Sequence, residues 1–144
     1  MGLSDNLLNP NNKPLIVQDC CEMIDAQVAS KSGLSGMAIK TAFAALKGIK
    51  PNYIHGVVDS LLIPCLTAID PLWNEGIAQG SPVEYLKAHQ SRTADALLAV
   101  TDVKVKNSKL QLVRGVYDKL RNSAKQHVEE AVPHFAQIIG KYSP

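Results

Sequence analysis

Aromatic side chains are scarce in this chain: they fill 5% of its 144 positions, with a single tryptophan and two phenylalanines. That scarcity argues against a sandwich of aromatic-rich strands, and no stretch alternates apolar and polar residues with the two-residue period of a half-buried strand. Cysteine is equally sparse, three residues in all. That is too few for a disulfide framework, and without a CxxC or HxxxH spacing it offers no zinc clip. Every apolar run is broken by Asp, Lys, His or Pro short of the roughly 20 residues that a bilayer core demands. The opening MGLSDNLLNPNNKP has neither a basic stretch nor an apolar one of the kind a secretory leader needs, and position 6 is Asn6 where a myristoylation signal wants Ser or Thr. Reduced thiols in a cytoplasm are therefore expected. KSGLSG, residues 31–36, has a phosphate-loop flavour, but Lys40-Thr41 follows a full turn too late for that motif, and helix capping explains it.

What is present favours packed helices. Hydrophobic residues make up 46% of the chain and charged residues 19%, with Ala, Leu, Val and Ile supplying most of the apolar volume. The length suits one domain able to bury its own core, residues 1–144, with 1–12 as a lead-in. The spacing predicts an all-α, compact bundle of about five helices. The first runs from Pro14 to about Ser30. Ser35 caps the second, which Gly48 ends, and Pro51 opens the third. The third keeps an apolar stripe in phase through Pro64 (Ile54, Val58, Leu61, Cys65, Ala68, Ile69, Leu72), so a single kinked helix ending near Trp73 is expected, with 74–80 as loop. Ser81 and Pro82 make an N-cap and first-turn pair for a helix to about Thr101. The last begins near Asn107-Ser108 and is interrupted at Pro133.

Two of the three cysteines are adjacent, in QDCCEM. At about 100° per residue, Val17, Cys21, Ile24 and Val28 form one line, with Cys20 on its flank beside Ile16. Asp19, Glu22 and Asp25 surround the pair and disfavour a thiolate, so the cysteines are read as small buried apolar residues.

Three constellations carry functional candidates. In DAQVASKSGLSGMAIKTAF, Ala29, Gly33, Leu34, Ile39 and Ala42 follow the small–Gly–apolar pattern of a helix-turn-helix, which would place residues 25–47 on DNA. The outward residues Gly36, Met37, Lys40, Thr41, Ala44 and Lys47 hold no Arg, Asn or Gln to read base edges, so an ordinary helical corner is favoured. Charge is uneven: residues 1–102 hold 7 basic and 10 acidic side chains, whereas 103–144 hold 8 basic and 3 acidic. Lys104, Lys106 and Lys109 suit a weakly bound anion or acidic partner. Arg114, Asp118, Arg121 and Lys125 form an outer stripe read as a salt-bridge ladder, and Arg114, Arg121 and Lys125 are candidate partner contacts. His127, Glu130 and His134, with His55 or His89 from another helix, are candidate metal ligands of a bundle enzyme, although Pro133 stands between the last two of the triplet. His127 itself is read as a core histidine bonded to a backbone or hydroxyl partner. Trp73, in IDPLW at a helix end, is either a lid on the core or an exposed partner anchor.

The blocks LSDNLL, KSGLSGMAIKTAF, IDPLW, ADALLAVTD and VYDKLRNSAKQHVEEAVP, taken in this order, resemble a family of small bacterial proteins classed as a domain of unknown function. The resemblance implies an all-helical cytosolic domain and brings no activity, cofactor or catalytic residue with it. No nucleophile–base–orienter set can be assembled from the residues. The expectation is a non-catalytic cytosolic interaction or adaptor domain, ahead of a metal-dependent bundle enzyme and of DNA binding. A protein partner or a second copy is expected, nucleic acid is disfavoured, and neither membrane association nor a cofactor is indicated.

Overall fold

A computed structural model describes residues 11–143 of the chain; residues 1–10, and with them most of the expected lead-in, lie outside it. Its elements are α1 (Lys13–Ser30), α2 (Gly33–Lys47), α3 (Tyr53–Ala78), α4 (Pro82–Ala88), α5 (Gln90–Lys106) and α6 (Gln111–Tyr142). All regular structure among the described residues is helical. The described residues form six helices rather than five because the segment expected to run from Pro82 to Thr101 breaks at His89, whose backbone (φ −119°, ψ 49°) leaves the helical region. The His89 ring stacks on Tyr85 with centroids 4.1 Å apart. Its Nδ1 lies 2.8 Å from the Tyr85 carbonyl, which can only accept, so the ring donates there. The cap at the start of α4 is as the sequence foretells: Pro82 follows Ser81, whose hydroxyl oxygen accepts the Glu84 amide at 3.3 Å.

The third helix continues through Pro64 as expected, whereas the break expected at Pro133 does not occur. α3 passes through Pro64 and Pro71 and continues over the expected 74–80 loop to Ala78. Both prolines sit on the solvent side, so the hydrogen bonds they remove lie on the outer face of the helix. α6 likewise runs unbroken through Pro133.

The core is a single cluster gathered from α1, α3, α4 and the last three turns of α6. Its buried line on α3 is Leu62, Leu66, Ile69, Leu72, Trp73 and Gly76, and on α1 it is Ile16, Val17, Cys20 and Met23. Both lines are rotated from the expected stripes, which retain only Ile69, Leu72 and Val17. Cys20 is the buried member of the cysteine pair and Cys21 the half-buried one, reversing the expected order. Burial, then Cys21 and Asp19, push the Cys20 thiol up to about 12, and burial takes Cys65 to about 11. Such thiols stay protonated and pack as small apolar groups. α3 has the length and composition of a membrane span, but so does a helix at the centre of a soluble core; 28% of its most apolar window is buried in the fold.

α5 and α6 together form a two-helix arm. Beyond Leu98 on α5 and before Val132 on α6, neither helix contributes a buried residue. Val100, Val105, Val113, Val116 and Leu120 are half-buried there, and a polar network joins the two helices as well. Arg121 Nε and Nη2 donate to the two oxygens of Asp102 at 2.9 and 3.1 Å. Tyr117 donates to the same carboxylate at 2.6 Å, and Thr101 lies 2.7 Å from the Tyr117 hydroxyl.

Candidate functional site

The structure brings two distant stretches together at the α1–α2 corner, where residues 31–36 meet the middle of α6. The corner is tight because of Gly36: a Cβ there would lie 2.7 Å from the Lys31 carbonyl carbon. Gly36, expected on an outward DNA-reading face, is therefore buried against the turn. Lys31 folds back under α6, its side chain only 8% exposed, and its ammonium reaches Glu130 Oε2 at 2.5 Å. Ser35, expected to cap α2, makes no cap bond. The N-cap position falls to Ser32, and the Ser35 hydroxyl lies 3.1 Å from His127 Nε2.

His127 thus has the hydroxyl partner foreseen for it, though its ring is half-buried rather than in the core. Its other nitrogen, Nδ1, is buried with no hydrogen-bond partner among the described residues. Burial, together with the neighbouring Lys31 charge, holds the imidazole below its usual 6.5, against an opposing pull from Glu130. Lys31 in turn holds the Glu130 carboxyl below the ordinary carboxylate range, chiefly through their hydrogen bond.

A serine hydroxyl on a neutral imidazole is two-thirds of a nucleophilic triad. Among the described residues the remaining third is missing, since none offers Nδ1–H an acceptor to orient the ring or to stabilise an imidazolium. An imidazolium would also form beside the Lys31 ammonium. The physics favours a latch that fastens the corner to α6. Its pH dependence follows from the sign of the shift. Above about pH 6.5 the ring is neutral both folded and unfolded, and the contribution is complete. As pH falls through that value the unfolded chain takes up the proton first, so stability declines toward the lower folded value. His127→Gln should flatten the decline, read as the difference in urea midpoint between about pH 5 and about pH 7.5. Equal slopes in both proteins would remove His127 as the cause. The carboxylates lose their contribution only below the ordinary carboxylate range, outside this window.

The other proposed metal ligands are not brought to this place. His134 is exposed on a shallow groove with Asp19, Glu22, Ala26, Gln137, Ile138 and Lys141. His55 lines a second groove, between α1 and the α2–α3 turn, with Gln18, Cys21, Asp25 and Lys47. His89 is held on Tyr85. Among the described residues, no three His, Cys, Asp or Glu side chains stand close enough to share a metal ion.

Trp73, 4% exposed, is the lid of its two alternatives, and its ring belongs to the core. Arg121, Lys125 and Arg114, the basic contact candidates, are all engaged within the chain. Arg121 pairs with Asp102, Lys125 with Asp95 at 3.2 Å, and Arg114 donates to the Ser108 carbonyl. The expected ladder through Asp118 does not form; the partner carboxylates come from α5, across the helix pair. Asp102 is held below its usual range by Arg121 first and Tyr117 second, while burial and that same carboxylate push Tyr117 up to about 12.

Sequence reasoning missed the roles of Lys31, Ser35, Asp102 and Tyr117. Each looks local in the sequence as a turn, cap or surface residue, and each acts across a gap of 15 to 99 residues. The available signal was weak: two of the blocks singled out above, KSGLSGMAIKTAF and VYDKLRNSAKQHVEEAVP, are the two that meet at the latch.

In comparisons with known proteins, a family described as "Family of unknown function (DUF6918)" matches residues 3–143. No curated protein and no solved structure matches the chain.

Proposed function

We propose, from the premise that this chain belongs to the DUF6918 family of unknown function, that it is a non-catalytic cytosolic interaction domain that docks a partner protein on the outer face of α2. The observation that carries this reading is the exposure of Leu34 (89%) and Met37 (67%), one turn apart on α2. α2 buries only Gly36, Ile39 and Ala42. Ala38, Thr41 and Ala44 extend the outer face as small exposed residues, over which another helix could approach closely. Apolar residues on adjacent turns, with small residues beside them, are the pattern by which one helix seats against another. The latch at Lys31 and Ser35 fixes the angle at which this face is presented.

The test is a photo-crosslinking residue placed at Met37, with the exposed position Thr67 on α3 as control, in cells that express the protein. Discrete adducts are expected from position 37, to a partner or to a second copy, and Leu34→Glu should abolish them while leaving the circular dichroism spectrum intact. Identical adducts from both positions, or none from position 37, would sink the reading.

A further inference from the structure

The far end of the α5–α6 arm is chemically unlike the rest of the molecule. Between Val103 and Tyr117 there are four basic residues, Lys104, Lys106, Lys109 and Arg114, and no acidic one. Elsewhere most cations are neutralised by a carboxylate on a neighbouring helix or turn, as in Lys13–Asp59, Lys47–Asp25, Arg92–Glu75 and Lys141–Asp19. Lys104, Lys106 and Lys109 are exposed, and none of them takes part in an ion pair among the described residues. Three of the large exposed apolar side chains lie in the same short stretch: Val103 (59%), Leu110 (44%) and Leu112 (50%). The end of the arm therefore presents unneutralised lysines interleaved with bare aliphatic groups.

We infer that the end of the arm docks on an anionic lipid surface, with the lysines against the headgroups and Val103, Leu110 and Leu112 at the hydrocarbon boundary. Charge complementarity selects an anionic occupant. The shape selects a bilayer. The residues span the last turn of α5, the connection that carries Lys109 and Leu110, and the first turn of α6, a helix-pair tip that a fluid surface can accommodate. Stacking nucleic acid is disfavoured because the one aromatic ring of the arm, Tyr117, is engaged by Asp102 and Thr101. This departs from the expectation drawn from the sequence, which counted spanning segments; the arm touches the surface and does not cross it. It is independent of the proposed α2 docking face, which lies on another element.

The experiment is co-sedimentation of the full chain with vesicles of phosphatidylcholine alone and of phosphatidylcholine doped with phosphatidylglycerol, over a salt series. Wild type is expected to partition onto the doped vesicles only, and to lose that partition as salt rises. Lys104→Gln, Lys106→Gln and Lys109→Gln together should weaken it roughly 100-fold, at about fivefold per lysine. Leu110→Ser with Leu112→Ser should weaken it on doped vesicles while leaving the charge-driven salt dependence in place. All five positions are exposed, and an unchanged thermal melt would exclude unfolding as the cause. Equal binding to both vesicle types, no binding to either, or full binding by the triple lysine variant would overturn the inference. So would binding to soluble poly-glutamate without binding to vesicles, which would assign the end of the arm to an acidic protein.

Discussion

Trp73→Ala should destabilise the fold by about 3–5 kcal/mol, the range for emptying a large aromatic from a packed core. The ring is 4% exposed and belongs to the cluster that joins α1, α3, α4 and α6, so its loss leaves a cavity at the meeting point of several elements. Against a typical total of 5–15 kcal/mol, the melting temperature should fall by roughly 10 °C. Trp73→Phe, which keeps most of the ring, should lose about half as much or less. Because this is the only tryptophan, the unfolding curve must be followed by far-ultraviolet circular dichroism rather than by fluorescence. A near-neutral Trp73→Ala would mean that the ring is a surface anchor after all.

Gly76→Ala comes second, and here two effects of opposite sign compete. On helix propensity alone, alanine in place of an interior glycine gains up to about 1 kcal/mol. At Gly76, however, a Cβ would lie 2.5 Å from Pro82 Cα and 2.8 Å from Tyr85 Cβ. Those atoms belong to or adjoin the backbone of α4, which the Ser81 cap and Pro82 hold in place, so they cannot swing away as a side-chain tip would. Overpacking of this kind costs about 1–3 kcal/mol and outweighs the propensity gain, so a net loss of about 1 kcal/mol is expected. The matched control is Gly115→Ala on α6, where nothing lies within 4 Å of the added carbon. That change should stabilise by about 0.5–1 kcal/mol. If both changes stabilise, α3 and α4 are not in the close contact described.

The helical punctuation was legible because it is local. The stop after Ser30, the Gly48 end of α2 and the Ser81–Pro82 start of α4 depend on backbone preferences and hydrogen bonds that reach only a few residues. The interruptions expected at 74–80 and at Pro133 failed for the opposite reason. Gly76 resembles a loop residue until α4 is seen lying against it, and Pro133 lies within the stretch of α6 that packs on the core, between the buried residues Val132 and Phe135. Tertiary contact overrode the local preference in both.

The candidate site was legible only in pieces. His127 was picked out with a hydroxyl partner in view, but nothing in the order of residues says that the hydroxyl is Ser35, 92 positions away. The arginines and lysines of α6 were recognised as pairing residues, yet the sequence offered Asp118 on their own helix, while the fold supplied Asp95 and Asp102 from α5. Along one helix a wheel gives a reliable list of neighbours; between helices it gives none.

Composition and periodicity by themselves determined that this protein is helical, where most of its helices start and stop, and that its cysteines serve as packing. They could not determine which side of a helix faces inward when apolar residues wrap much of its circumference. On α1 the line through Val17 and Cys21 and the line through Ile16 and Cys20 are about 100° apart and almost equally apolar. Only the position of α3 and α6 decided between them, since the free energy of burial depends on what a side chain meets as well as on how apolar it is. The same holds for the surface. Leu34, Met37 and the aliphatic end of the arm remain exposed because no other described element reaches them, and that is a property of the packing.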